Sequence, residues 1–461
     1  MTATAEHLER EVKLAVWPGF ELPDFEGLPH GLVATPVAEQ RLDAVYFDTP
    51  DLRLARSGIT LRHRSGEGWT LKLPDGERAT DTLSRRELTV ASDSETVPTE
   101  LARLVTAWVR SCELVAVAHL DTQRRTVVLS DGEGTRMGEI VDDEVSVLRG
   151  RGVALRFREV EVELGERAPE QLLDEVVVHL RAAGAGPGDA IPKVKRALGP
   201  QAFEPPDLSG QPHDDGSAAS VIHAGLRATV RRLLEHDLGA RLGKVEGIHQ
   251  ARVATRRLRS DLRTFGPLIE ERLVSDLQAE LRWLAAALGE VRDADVLLER
   301  LRSDCSRLRD VDSDAATALL ARLEAERSDA RDRLLQVLDS RRYAVLLDRL
   351  VAGVDDPSVD NGVGGWLRVE AHAPATEVLP GLVARPWQRL RKAARASGPT
   401  ATDEQLHEVR IRAKRCRYAV EAAAPAVGKR ARPLAEAVAG VQEVLGDHQD
   451  AVVAEGWLCG T

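Results

Sequence analysis

A chain of 461 residues exceeds one ordinary domain and predicts two or three. Its 43% apolar residues suffice for real cores, which must be built from Leu, Val and Ala because aromatics are only 3%. A net charge of -11 argues against a general nucleic-acid coat, whose affinity comes from neutralising phosphates, but leaves room for a local basic site. Cys112, Cys305, Cys416 and Cys459 are scattered and form no Cys-x-x-Cys pair, so neither a zinc cluster nor a disulfide framework is expected. Glu6, Glu9 and Glu11 stand where a signal peptide would need a basic start, and no segment is long and apolar enough to span a bilayer. The expected location is cytoplasmic, with no membrane partner.

Up to about Leu198 the pattern is strand-rich with period two, interrupted by Gly and Pro at Pro50, Gly58, Gly66, Gly68, Pro74 and Gly76. Leu101–Val109 and Glu170–Ala183 read as helical. Glu9-Arg10-Glu11-Val12-Lys13 opens this region, and strand alternation puts its two Glu and its Lys on one face. The same spacing pairs Arg62 with Arg64, Arg85 with Glu87, Gln123 with Arg125, and Glu159 with Glu161 and Glu163. Leu8, Val12 and Leu14 answer the first group on the opposite face, while Val160, Val162 and Leu164 answer the three Glu. If these apolar residues pack outward, the charged faces line the inside of a closed barrel with a polar lumen. Solvated strand faces carrying paired cross-strand charges would give the same pattern.

Residues 205–216 are polar and rich in Pro and Gly, a linker between an α+β unit over residues 1–204 and a helical unit over residues 217–461. The helical unit is broken near Pro357–Gly365 and Ala396–Thr402. It contains a repeat: His249-Gln-Ala-Arg-Val-Ala-Thr-Arg-Arg-Leu-Arg259 returns as His407-Glu-Val-Arg-Ile-Arg-Ala-Lys-Arg-Cys-Arg417. Leu288-Gly-Glu-Val-Arg-Asp-Ala-Asp-Val296 likewise returns as Leu445-Gly-Asp-His-Gln-Asp-Ala-Val-Val453, which implies a duplicated helical unit with both basic segments beside one cleft. On a helix, His249, Arg252, Arg256, Arg259 and Arg263 fall inside an arc of about 80°. His407, Arg410, Lys414 and Arg417 occupy the same arc, with Glu421 where Arg263 would be. Such a stripe repels itself unless an anion answers it, and a chain of phosphates gripped by Arg forks fits best. Carboxylates supplied by other helices are the plainer explanation. Nucleic acid is disfavoured because stacking aromatics are scarce. Glu246 and Glu404 each precede a histidine by three residues; His249 and His407 read as phosphate contacts rather than metal ligands, and structural pairing with those Glu is equally open.

In the first unit the cations would hold a polyanion, while the carboxylates hold Mg²⁺ or Mn²⁺ as hard oxygen ligands. Nothing suggests a covalent nucleophile, so an oriented water should attack the terminal phosphorus.

These residues resemble a known pair of modules. Glu9-x-Glu11-x-Lys13, Tyr46-Phe-Asp-Thr-Pro50, Leu52–Gly58, Leu61–Arg64, Trp69–Pro74, Arg85-x-Glu87, Arg125, Glu139 to Asp143, Glu159–Glu163 and Lys193–Leu198 look like the CYTH, or triphosphate tunnel metalloenzyme, family. The resemblance implies an eight-stranded antiparallel tunnel that binds triphosphate substrates with Mg²⁺ or Mn²⁺. Most members hydrolyse a triphosphate and a minority cyclise ATP. By position, Lys13, Arg62, Arg64, Lys72, Arg85, Arg125 and Lys193 would grip phosphates, while Glu9, Glu11, Asp143, Glu161 and Glu163 would serve metal and water; Glu9, Glu11 and Lys13 form the catalytic group. The second half resembles a CHAD domain, a helical module associated with polyphosphate, and its basic residues match that signature.

The expected function is metal-dependent hydrolysis of inorganic triphosphate or polyphosphate ends, with polyphosphate held by the helical unit and association with polyphosphate granules. The competing readings are a non-catalytic polyphosphate-binding protein and a nucleoside triphosphate hydrolase or cyclase.

Overall fold

The computed structural model describes residues 5–25, 31–74, 83–165, 167–169, 171–187, 191–211, 213–306, 313–355, 366–398 and 400–459. The chain forms two compact units, Met1–Pro206 and Asp207–Thr461. Among the described residues no helix is long and apolar enough to cross a membrane.

The first unit is built on nine antiparallel strands: β1 (Ala5–Ala15), β2 (Val33–Pro36), β3 (Gln40–Asp48), β4 (Thr60–Arg64), β5 (Gly68–Pro74), β6 (Leu83–Val90), β7 (Val115–Ser130), β8 (Arg136–Arg149) and β9 (Gly152–Leu164). Their order is β2-β7-β3-β4-β5-β6-β1-β9-β8, and a β7–β8 pairing closes the sheet on itself. Eight strands therefore run around the ring, and β2 extends β3 along one edge of β7.

Outward-facing Val12, Leu14, Ile140, Val160 and Val162 are buried against Leu172, Leu173, Val176 and Leu180 of α4 (Gln171–Ala182), the helix expected over Glu170–Ala183. This packing turns the opposite, charged faces inward. The other helices of this unit are short: α1 (Arg53–Arg56), α2 (Thr99–Ala102), α3 (Thr106–Val109) and α5 (Lys193–Leu198). Asp48 fixes the turn after β3, its carboxylate accepting from the backbone N–H groups of Thr49, Leu54 and Ala55 at 2.7, 2.9 and 2.8 Å. The strand-like period read as far as Leu198 ends earlier, because α5 is a helix. Its Val194, with Ala197 and Leu198, packs on the inward-facing Ala44, Tyr46, Leu120, Val145 and Val147. One end of the lumen is thus filled by apolar packing, and the charged residues are confined to the rest.

The second unit is all helix: α6 (Ala218–Arg241), α7 (Val245–Phe265), α8 (Glu271–Cys305), α9 (Ser313–Leu338), α10 (Arg341–Asp355), α11 (Ala375–Ala396), α12 (Asp403–Val427) and α13 (Ala431–Cys459). Leu, Ala and Val from α6, α7, α8, α9 and α10 make one large core. A smaller one joins α11, α12 and α13 through Leu390, Val409, Ala413, Cys416 and Val438. The Leu-Gly pair that starts the second repeated landmark lies at ordinary van der Waals distance from the matching arginine of the basic segment in both copies. A Cβ on Gly289 would lie 3.9 Å from Arg252 Nη2, and one on Gly446 would lie 3.8 Å from Arg410 Nη2.

The helices α6 and α7 cross backbone to backbone, because a Cβ on Gly247 would lie 2.4 Å from the carbonyl carbon of Gly239. Gly247→Ala must push the helices apart, and we expect a loss of about 1–3 kcal/mol in chemical denaturation, typical of overpacking. An unchanged midpoint would show that this contact is not tight.

Candidate functional site

The lumen of the barrel holds a cavity of about 210 Å³. Six cations line it: Lys13 from β1, Arg62 and Arg64 from β4, Lys72 from β5, Arg124 from β7 and Lys193 from the start of α5. Facing them are Glu11, Glu87, Glu161 and Glu163, with Glu67 near Arg64. The cross-strand register places them together, since directly opposed residues of an antiparallel pair share a face. Lys13 lies opposite Glu161, Glu11 opposite Glu163, and Lys72 opposite Glu87.

Two buried amines organise the carboxylates. Lys13 Nζ touches Glu161 and lies 3.2 Å from Glu11 and 3.8 Å from Glu159. Lys193 Nζ lies 2.5 Å from Asp143, 3.0 Å from Glu161 and 3.3 Å from Glu159. Burial lowers the Lys13 proton affinity below that of an ordinary amine, against the pull of Glu11. At Lys193 burial is outweighed by Asp143 and Glu159, and its affinity is raised. Burial also works against charge on Asp143, but Lys193 and Arg124 hold its carboxyl well below the usual range.

The structure assigns Arg124, not Arg125, to the lumen. Arg124 donates to both oxygens of Asp143 at 2.9 and 2.7 Å and lies 3.5 Å from Glu161. Arg125 is half exposed and pairs with Glu39 at 3.0 Å and Asp142 at 3.4 Å. Register is the cause: Arg124 lies opposite the inward Asp143, and Arg125 opposite the outward Asp142. Asp143, expected among the metal ligands, stands behind Arg124 and Lys193 and fixes both. Among the described residues, Glu11, Glu161 and Glu163 are near enough to share an ion, each offering an oxygen within 4.8 Å of the others. An all-carboxylate donor set fits a hard dication such as Mg²⁺ or Mn²⁺ and does not fit a thiophilic one. The Nε atoms of Arg62 and Arg64 are buried with no hydrogen-bond partner among the described residues. The side chains of Glu9 and Arg85 lie outside the described residues.

A second cavity, of about 590 Å³, lies in the helical unit between α7, α8, α12 and α13. His249, Arg252, Arg256, Arg259 and Arg263 enter it from α7, and His407, Arg410 and Lys414 from α12. Arg417 does not line it. Glu421 accepts from Arg417 at 2.6 Å and from Arg257 at 2.5 Å, which draws Arg417 aside, and Arg415 stands in the wall instead. Sequence reasoning also missed Arg292 and Arg300 of α8. Arg292 lies inside the repeated Leu288–Val296 landmark, where the signal was available; Arg300 carried none.

Two acids temper this wall: Asp293 accepts from Arg252 at 2.7 Å, and Asp450 lies 3.9 Å from Arg410. His407 Nδ1 is 2.6 Å from Gln449 Oε1. Burial, and then the neighbouring Arg292, lower the proton affinity of His249. Burial, and then nearby arginines, do the same to the guanidiniums of Arg259 and Arg263. Lys414 is pushed down to about 7 by burial and then by Arg256, Arg410 and Arg252.

The model of the CYTH domain matches residues 7–192 and that of the CHAD domain residues 224–459. This chain belongs to the proteins in which a CYTH domain is followed by a CHAD domain. Uncharacterized protein Rv2226 of Mycobacterium tuberculosis is 34% identical over 492 residues, covering 98% of this chain and 88% of that one. Among solved structures, the CHAD domain from the plant Ricinus communis is 27% identical, with a TM-score of 0.43 over 55% of this chain and 81% of that one. PptA from Streptomyces chartreusis is 24% identical, with a TM-score of 0.42 over 52% of this chain and 84% of that one.

Beside the cationic wall, buried Asp261 accepts from Arg257 Nε at 3.0 Å. Burial raises its carboxyl to about 6 against the pull of Arg257, with Glu421 adding to the rise. The folded chain then binds this proton more tightly than the unfolded chain, whose Asp titrates near 3.9. Stability from this group is full below about pH 4 and is lost as pH rises through about 6. Relative to wild type, Asp261→Asn should gain roughly 2 kcal/mol between pH 4 and pH 7.5 in urea unfolding. A pH-independent difference would contradict the assignment.

Proposed function

We propose that the barrel is a metal-dependent inorganic triphosphatase and that the helical unit holds polyphosphate. The observation that carries this is the coexistence, in one lumen, of six cations and the Glu11, Glu161, Glu163 group. A simple anion site would need no carboxylate cluster, and a simple metal site no ring of cations. The two together match a phosphate chain whose charge is shared between protein and dication.

Glu11, Glu161 and Glu163 would hold Mg²⁺ or Mn²⁺; such an ion, when bound, neutralises phosphate oxygens and lowers the pKa of a coordinated water. Arg62, Arg64 and Arg124 would grip the phosphates through paired N–H groups, with Lys72, Lys193 and Arg85 as further cations and the Nε atoms of Arg62 and Arg64 ready as donors. Asp143 fixes Arg124 and Lys193 before substrate arrives, so little reorganisation remains. Lys13, held against Glu11 and Glu161, would position the carboxylates that align a water on the terminal phosphorus. Charge developing on the leaving phosphate would fall on the arginines. The cavity volume of about 210 Å³ favours a short inorganic chain, because a nucleoside would have to remain outside.

The test is orthophosphate release from tripolyphosphate and ATP with Mg²⁺ or Mn²⁺. Glu161→Gln and Arg124→Ala should each lower kcat by about 10²-fold or more, while Arg125→Ala stays within a few-fold of wild type. Absence of metal-dependent release from either substrate would end the reading, and equal loss in Arg124→Ala and Arg125→Ala would remove its geometry.

In the helical unit, Arg252→Ala plus Arg410→Ala should weaken polyphosphate binding. By analogy with counterion release from nucleic acids, the double variant should flatten the log affinity against log salt slope by roughly 1–2. Unchanged affinity and slope would exclude this cavity as the site.

A further inference from the structure

Nine cationic side chains line the helical cavity, and eight of them are arginines. The ninth is Lys414, which takes the place that Arg256 holds in the first repeat. Lysine is scarce in this chain, at eight of its 63 basic residues. The difference matters because a guanidinium stays charged at any physiological pH, whereas a lysine amine can release its proton and become a nucleophile.

Lys414 is half-buried in the cavity wall. Arg252 and Arg256 of α7 and Arg410 of its own helix surround it, and Asp450 of α13 is the acid that acts on it. Asp293 of α8 is engaged by Arg252. With the Lys414 amine brought to about 7, a substantial share of it is neutral near physiological pH, against roughly one in a thousand for an ordinary exposed lysine. The same arginines that disfavour its ammonium form would bind a phosphoryl group beside it.

We propose that Lys414 is a site of N-acylation by acyl phosphates, captured through their phosphate by Arg256 and Arg410. The inference rests on the phosphate-holding reading of this cavity. The amine nitrogen attacks the acyl carbon, the bond from that carbon to the phosphate oxygen breaks, and orthophosphate leaves with the electron pair. The nitrogen passes its proton to the departing phosphate or to solvent. The products are an amide and orthophosphate, and nothing is oxidised or reduced. The amide cannot take up a proton, so acylation removes the cation that Lys414 would become beside a bound polyanion and weakens the hold on it.

The experiment treats the full chain with acetyl phosphate at pH 7.5 and follows every lysine by peptide mass spectrometry. Isothermal titration of long-chain polyphosphate is run on the same preparation. Lys414 should be acetylated at least 10-fold faster than the exposed Lys244, Lys392 and Lys429, and saturating polyphosphate should suppress the reaction at Lys414 alone. N-Hydroxysuccinimidyl acetate, which lacks the phosphate, should show a smaller preference for Lys414. Equal rates at Lys414 and the exposed lysines, or acetylation undiminished by bound polyphosphate, would overturn the inference while leaving the cavity as a polyphosphate site. Failure of polyphosphate to bind would overturn the underlying reading as well.

Discussion

The first unit depends on holding opposite charges together out of water. Desolvating an ion costs several kcal/mol, and the cost is recovered only if close, well-directed partners replace the lost hydration. Asp143 is fully buried, and its partners Lys193 and Arg124 are fixed at 2.5 and 2.7 Å. Strand geometry allows this, because alternation sends Glu159, Glu161 and Glu163 inward and Val160, Val162 and Leu164 outward onto α4 in one stroke. The apolar face supplies the packing energy, and the charged face is carried with it into the lumen. The plug from α5 makes the same economy at one end, where apolar side chains spare further charges from burial.

The two cavities differ in their electrostatics. The lumen balances its charges internally, so its side chains are already positioned and any anion that enters must exchange with existing carboxylate partners. The helical cavity is dominated by one sign, with Asp293 and Asp450 as the acids of its wall, facing Arg252 and Arg410. Burial, and then mutual repulsion, lower proton affinities there, as at Lys414, and the repulsion is relieved by an anion.

Much of this was legible from residue spacing. Alternation identified Glu11, Lys13, Arg62, Arg64, Glu161 and Glu163 as sharing one inner surface, because each but Arg64 has an apolar neighbour to fix the phase, and Arg64 follows Arg62 at the same spacing. The method failed at Arg124 and Arg125, where two adjacent arginines satisfy either phase and only the pairing with Asp143 decides. Asp143 was placed on the lumen face, but its pairing with Arg124 and Lys193 was not legible, since spacing along one strand says nothing about what lies across from it. On the helices, the 3.6-residue period brought His249, Arg252, Arg256, Arg259 and Arg263 together correctly. It misplaced Arg417, which sits at the margin of its arc and is drawn off by Glu421. The contributions of Arg292 and Arg300 required a third helix whose approach no local pattern encodes.

The most direct measurement is a crystal structure of the full chain with Mn²⁺ and a non-hydrolysable tripolyphosphate analogue, with the metal located by anomalous scattering. The account predicts an anomalous peak bounded by carboxylate oxygens of Glu11, Glu161 and Glu163, with phosphates against Arg62, Arg64 and Arg124. Metal found only on outer carboxylates, or an analogue bound only outside the barrel, would contradict it.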